Sequence, residues 1–192
     1  MLDSCGIGLT QGHHFFDIGQ GKKDEGQFDG TKEIFGASGA LAVYRKSALN
    51  TVCYVSPEGR REYFDELLHY KNDVDLSYRL QWAGQKCLFI PSVRVYHDRQ
   101  VDTKKRKSLA TLESSLYGQL FVLKKNFDPR FSFTVKFKTF LRKWGYVKWR
   151  LAYNPLLIKQ LFQLGKDAAK IEDRRKKMPR AVSPKEIEQL MR

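Results

Sequence analysis

Asp73 and Asp75 stand one residue apart where an apolar-faced stretch begins, in LLHYKNDVDLSYRLQWAGQKCLFI (67–90). Two carboxylates so placed have a purely local account. Asn72 is predicted to cap the helix, its side-chain oxygen accepting from a free N–H of the first turn. Acidic groups in that turn also oppose the positive end of the helix dipole. Leu76, Leu80 and Ala83, at i, i+4 and i+7, form one buried stripe, which Gly84 terminates. A second candidate is Gly36-Ala37-Ser38-Gly39-Ala40. Such small residues let a ligand approach the backbone, and their N–H groups suit sugar or phosphate. A tight turn from loop into strand explains the same composition. Arg79 lies six residues, roughly 1.7 turns, beyond Asp73 and is predicted to pair with neighbours on its own helix. Trp82 reads as core. His13 and His14 have no metal-binding partners at a recognisable spacing, and His97 follows a strand-like run, Val93-Arg94-Val95-Tyr96.

The elements that must position these groups divide by charge. Residues 1–100 carry 12 Lys and Arg against 13 Asp and Glu, whereas residues 101–192 carry 23 against 8. The whole net charge of +14 therefore belongs to the second part, and a boundary is expected near Val101, just before KKRK (104–107). A hydrophobic share of 42% and an aromatic share of 13% argue for a core and against disorder. No apolar run approaches the ~20 residues that span a bilayer. Cys5, Cys53 and Cys87 are odd in number and widely spaced, as in reduced structural thiols of a cytosolic chain.

Short strand-like runs at 41–44, 86–90 and 93–97 alternate with helical ones at 46–49 and from Asp73, which predicts an α/β sheet. Residues 19–39 read as a long loop. The second part reads as helices. Leu109, Leu112, Leu116, Leu120, Leu123 and Phe127 keep helical spacing, aromatics and cations interleave over 131–153, and a third helical segment spans about 156–177. Ser183-Pro184-Lys185-Glu186 is a capping box with proline at N1. The first hundred residues have few strands for a two-faced sheet and begin without a lead-in element. They read as the back portion of a larger domain.

The runs DIGQGKKDEGQFDGTKEIFGASGALAVYRKSAL (17–49) and EYFDELLHYKNDVDLSYRLQWAGQKCLFIPSVRVYH (62–97) resemble the second half of a family 2 glycosyltransferase, of the bacterial rhamnosyltransferase-like branch used in surface polysaccharide assembly. The resemblance covers essentially residues 2–97. It implies a partial GT-A (Rossmann-like) domain over 1–100, lacking its nucleotide-binding half, and a basic helical extension over 101–192. It makes Asp73 the general base of an inverting transfer, taking the acceptor hydroxyl's proton as that oxygen attacks the anomeric carbon. Gly36, Ala37, Ser38, Gly39, Asn72 and Asp75 would then border the acceptor. Asn72 departs from the family's usual glutamate, which bears on acceptor positioning. Asp73-Val74-Asp75 spells DxD, but the family's metal-binding DxD closes a strand in the preceding half and has no counterpart here. The main Mn²⁺ or Mg²⁺ ligands are thus expected outside this chain, with His97 resembling a further ligand; a histidine tilts such a site toward Mn²⁺.

The resemblance further implies a dTDP- or UDP-sugar donor, with rhamnose the candidate sugar, and a glycan or lipid-linked acceptor. It implies a place on the inner, cytoplasmic face of the cell membrane, and a chain inactive by itself. Two other readings stand beside the enzyme. In one, the basic part is a binding module, since cations interleaved with aromatics suit single-stranded nucleic acid and an anionic membrane equally; the resemblance favours lipid. In the other, the chain is an inactive truncated product. The 109–177 helices are expected either to dock on an anionic membrane or, for the leucine stripe, to pack against the first part.

Overall fold

The computed structural model describes residues 1–31, 33–56, 58–97 and 108–192; the expected boundary at Val101 and the KKRK run lie outside them. The chain is mixed α/β, and helices dominate. Strand β1 (Ile7–Leu9) pairs antiparallel with β2 (Phe15–Asp17), in the register Ile7↔Asp17 and Leu9↔Phe15. β3 (Glu33–Ile34) pairs with β6 (Cys87–Leu88), and β4 (Tyr54–Val55) with β5 (Arg61–Glu62). All three ladders are antiparallel, and the described residues contain no larger sheet. Two helices lie in the first part, α1 (Lys46–Asn50) and α2 (Asn72–Trp82). The second part forms α3 (Leu109–Asn126), α4 (Phe133–Tyr153), a 3-10 turn at Pro155–Leu157, α5 (Ile158–Lys166), α6 (Ala168–Lys177) and α7 (Pro184–Gln189).

The strands expected at 41–44 and 93–97 do not form. Residues 41–44 alternate between exposed and half-covered, and Val43 is 94% exposed. A strand needs a hydrogen-bonded neighbour as well as a period, and neither segment has one among the described residues. The helical expectations fare better. Ser108 and Ser132 cap α3 and α4 through side-chain bonds to Thr111 and Val135 N–H groups, and the capping box at Ser183 is complete. Helix formation needs only local partners, which explains the difference.

Charge divides the chain, but the core does not follow that division. One buried cluster takes Ile7, Leu9, Phe15, Phe35, Val74, Tyr78 and Trp82 from the first part, with Phe121, Phe131, Ile171 and Ile187 from the second. Helix α3 is enclosed on two sides. Its Tyr117, Phe121 and Val122 join the cluster shared by both parts, while Leu112, Leu116 and Leu120 pack on Val147 of α4 and on Leu157. The leucine stripe is therefore core, but it packs on the second part's own helices and not against the first part, which corrects the expectation. Gly118 permits the close approach: a Cβ there would lie 2.5 Å from the Tyr70 carbonyl oxygen, immediately before α2. At the end of the chain, Arg192 donates its N–H to Leu9 O and its carbonyl accepts from Gln11, extending the β1 edge.

His13 is buried with these elements. Its Nδ1 lies 2.7 Å from Thr139 Oγ1 of α4, its carbonyl accepts from Gln119 of α3, and its ring packs on Tyr78, Phe127 and Phe131. Burial pushes its pKa down to about 4. A histidine neutral when folded and basic when unfolded stabilises fully above its unfolded pKa of about 6.5, and that contribution is lost as pH falls toward 4. We expect a loss of about 3 kcal/mol over that window. Burial also pushes His14 down to about 4, with the charges of Arg142 and Lys71 adding. Urea titrations at pH 7 and pH 4 should therefore find His13→Gln less stable at pH 7 and its loss of stability over that window smaller by about 3 kcal/mol but not abolished.

Candidate functional site

Helix α2 starts from Lys71, whose backbone is left-handed (φ 67°), so the chain turns sharply into its first turn. Asn72 is the first helical residue rather than the cap: the turn at Lys71 occupies the cap position, with no side-chain cap bond from it. The free N–H groups are met from within the turn. Asn72 Oδ1 accepts from Asp73 N–H at 2.8 Å, and Asp73 Oδ1 accepts from Val74 N–H at 2.8 Å. Gly84, at φ 74°, ends the helix as expected.

The second oxygen of Asp73 reaches across the chain. Oδ2 accepts from Gly39 N–H at 3.0 Å, so the small-residue loop and the helix start meet at one half-exposed carboxylate. Gly36 makes this approach possible, since a Cβ there would lie 2.0 Å from Ser77 Oγ on α2. Its backbone is bonded in both directions to Ile7. Ala37 and Ser38 are half-buried, and Ser38 O accepts from Leu41 N–H to close a turn. Of the predicted site residues, Gly36, Ala37, Ser38, Gly39, Asn72 and Asp73 therefore lie together.

Asp75 does not join them, which corrects its expected place at the acceptor rim. Its side chain is fully buried. Residues two apart on a helix point roughly 200° from each other, so Asp73 outward means Asp75 inward. Asp75 Oδ2 accepts from Arg79 Nε at 2.9 Å, and Oδ1 accepts from Lys125 Nζ at 2.7 Å. Arg79 thus pairs with its own helix neighbour, as predicted, and also donates to Val52 O and Tyr63 O. Lys125 also donates to Asp65 (3.2 Å) and to the Tyr54 hydroxyl. Arg174 of α6 closes the cluster on Asp65 and Glu66. Burial pushes the Asp75 carboxyl up, but Lys125 and Arg79 outweigh it and hold the group below its ordinary range.

Sequence reasoning missed the groups that surround Asp73. Lys71 is one: its ammonium lies 5.2 Å from the Phe15 ring centre, and burial pushes its pKa down to about 8. Asp73 works against that shift, and Arg150 and Arg142 of α4 work with it. Tyr44 is another, raised to about 12 by burial, with Cys87 and Asp73 adding. No spacing rule links Lys71 to α4, because fold and not sequence brings them together.

His97 lies elsewhere, with Nδ1 2.7 Å from Asp3 Oδ2. Among the described residues no three His, Cys, Asp or Glu side chains gather as a metal site requires. No complete metal site lies among the described residues, and no step below is routed through one. A groove lined by Gln81, Lys86, Val182, Glu186 and Arg192 sits at the far end of α2, away from Asp73. No described helix is long and apolar enough to cross a membrane. The chain matches no family model, no curated protein and no solved structure.

The division of labour between the two aspartates has a direct consequence. Removing one partner of a buried charge pair costs about 3–5 kcal/mol, whereas losing an exposed helix-start carboxylate costs about 1 kcal/mol. Urea unfolding should therefore rank Asp75→Ala and Lys125→Met as severe and Asp73→Ala as mild.

Proposed function

We propose that this chain supplies the acceptor side of an inverting, nucleotide-sugar-dependent glycosyltransferase with a GT-A-type domain, in which Asp73 is the general base. The observation that carries the proposal is the placement of that one carboxylate. Asp73 sits at a helix start, half-exposed, with Oδ2 held by Gly39 N–H from the loop of small residues. A base for hydroxyl deprotonation needs a fixed position and an accessible oxygen. Asp75, tied to two buried cations, offers neither an accessible oxygen nor a free charge.

The acceptor hydroxyl approaches Asp73 Oδ2 over the Gly39 and Ala40 backbone. Asp73 takes its proton as the oxygen attacks the sugar's anomeric carbon from the side opposite the departing nucleotide. Gly39 N–H keeps the carboxylate oriented before that transfer. Lys71, with Arg142 and Arg150 acting on it from α4, suits the phosphate of a lipid-linked acceptor. An acceptor of that kind puts the enzyme at the inner face of the cell membrane, in surface polysaccharide assembly. The donor and its metal are held by residues outside those described above. The extended segments 41–44 and 93–97 are free to pair with further strands of such a domain.

Two measurements test this reading. Calorimetric titration of the chain alone with dTDP- and UDP-sugars plus Mn²⁺ should show no micromolar binding. In the transfer-competent assembly that contains this chain, Asp73→Asn should slow transfer by about 10²–10⁴-fold with donor affinity unchanged. Near-normal turnover in Asp73→Asn would remove the base from this position.

A further inference from the structure

Helix α4 is covered on one side only. Val135, Thr139, Val147 and Arg150 are buried and attach it to the body of the protein. Away from that line, Phe133, Phe137, Phe140, Leu141 and Trp144 are exposed, Phe133 by 77%. They fall at i, i+4, i+7, i+8 and i+11, one continuous apolar stripe over three turns. At 100° per residue it centres roughly 140° from the attached side. The rings associate with one another: Phe133 stacks on Phe137 at 6.0 Å, and Phe140 meets Trp144 at 6.4 Å.

The charge on this helix is one-signed. Residues 133–153 contain six cations and no acid. The helical period sets Lys136 and Lys143 along one flank of the stripe and Lys138 on the other, with Lys148 at the stripe's edge. Arg142 falls on the attached side, beside buried Val135 and against Gly12. Trp149, although exposed, falls on a different side, against Arg150 and Tyr153.

We propose that this face of α4 is a membrane-surface dock, lying parallel to an anionic bilayer with the aromatic stripe at the headgroup boundary. Apolar rings flanked by cations match such a surface: the rings enter the acyl boundary while the lysines reach lipid phosphates. A second copy of the chain fits poorly, because an isologous contact would bring like-charged flanks together. Single-stranded nucleic acid also fits poorly, because Leu141 and the mutually stacked Phe133 and Phe137 leave few free ring faces for bases. The dock is independent of any sugar transfer, and its test reads none.

Co-sedimentation of the full chain with phosphatidylglycerol and phosphatidylcholine vesicles is the test. Partitioning should favour phosphatidylglycerol by more than tenfold and fall with added salt. Lys136→Gln and Lys143→Gln should each weaken it about fivefold, and Phe137→Ser with Trp144→Ser by more than tenfold. All four side chains are exposed, so circular dichroism should be unchanged. Equal binding to both lipids, or unaltered binding in these variants, overturns the proposal. So does a tight single-stranded DNA complex, or a dimer dissolved by the aromatic variants, in a chain that ignores vesicles.

Discussion

Five charged side chains from four separate stretches of chain meet in the interior: Asp65, Asp75 and Arg79 from the first part, Lys125 from α3 and Arg174 from α6. Removing such groups from water costs several kcal/mol per ion, so they are tolerated only if every one is matched. Here the matching is close to complete. Lys125 donates to two carboxylates and a phenol, and Arg79 spends its remaining donors on the carbonyls of Val52 and Tyr63. The rings of Tyr54 and Phe121 line the cluster, Lys125 lying 5.1 and 5.5 Å from their centres. A cluster of this kind contributes less net stability than apolar packing of equal volume. It does fix geometry, because any misplacement strands a buried charge. Helices α3 and α6 have one acceptable position against α2.

That constraint sets the site. With Asp75 anchored inward, the helical turn sends Asp73 outward, where Gly36 lets the 36–40 loop close over α2 and Gly39 N–H reach the carboxylate. The basic second part therefore shares its core with the elements that hold the candidate base, and α4 is attached to it through Val135, Thr139, Val147 and Arg150. The +15 carried by residues 101–192 is distributed accordingly. Some of its cations, such as Lys125 and Arg150, are spent inside, and the others on α4 are exposed.

Legibility in the sequence followed the range of the interactions. The caps at Ser183 and Gly84, the helix of 109–126 and the Asp75–Arg79 pair are settled within about four residues, and all were readable. The opposite facing of Asp73 and Asp75 was equally local, a matter of two steps at 100°, yet Asp75 was expected beside Asp73 at the acceptor. Lys125 could not be read. It sits on a helix of leucines and aromatics, and its acidic partners lie 50 and 60 residues away. The strands at 41–44 and 93–97 show the complementary failure, in which the strand-like composition was present but the hydrogen-bonding neighbour was not.

The central claim is that one acidic pair is split into an accessible carboxylate and a buried anchor. Carbodiimide coupling of an amine to the native protein, read residue by residue by mass spectrometry, measures that split directly. The account predicts that Asp73 is modified in the folded protein while Asp75 and Asp65 react only after denaturation. Equal labelling of Asp73 and Asp75 in the native state, or labelling of Asp75 first, would contradict it.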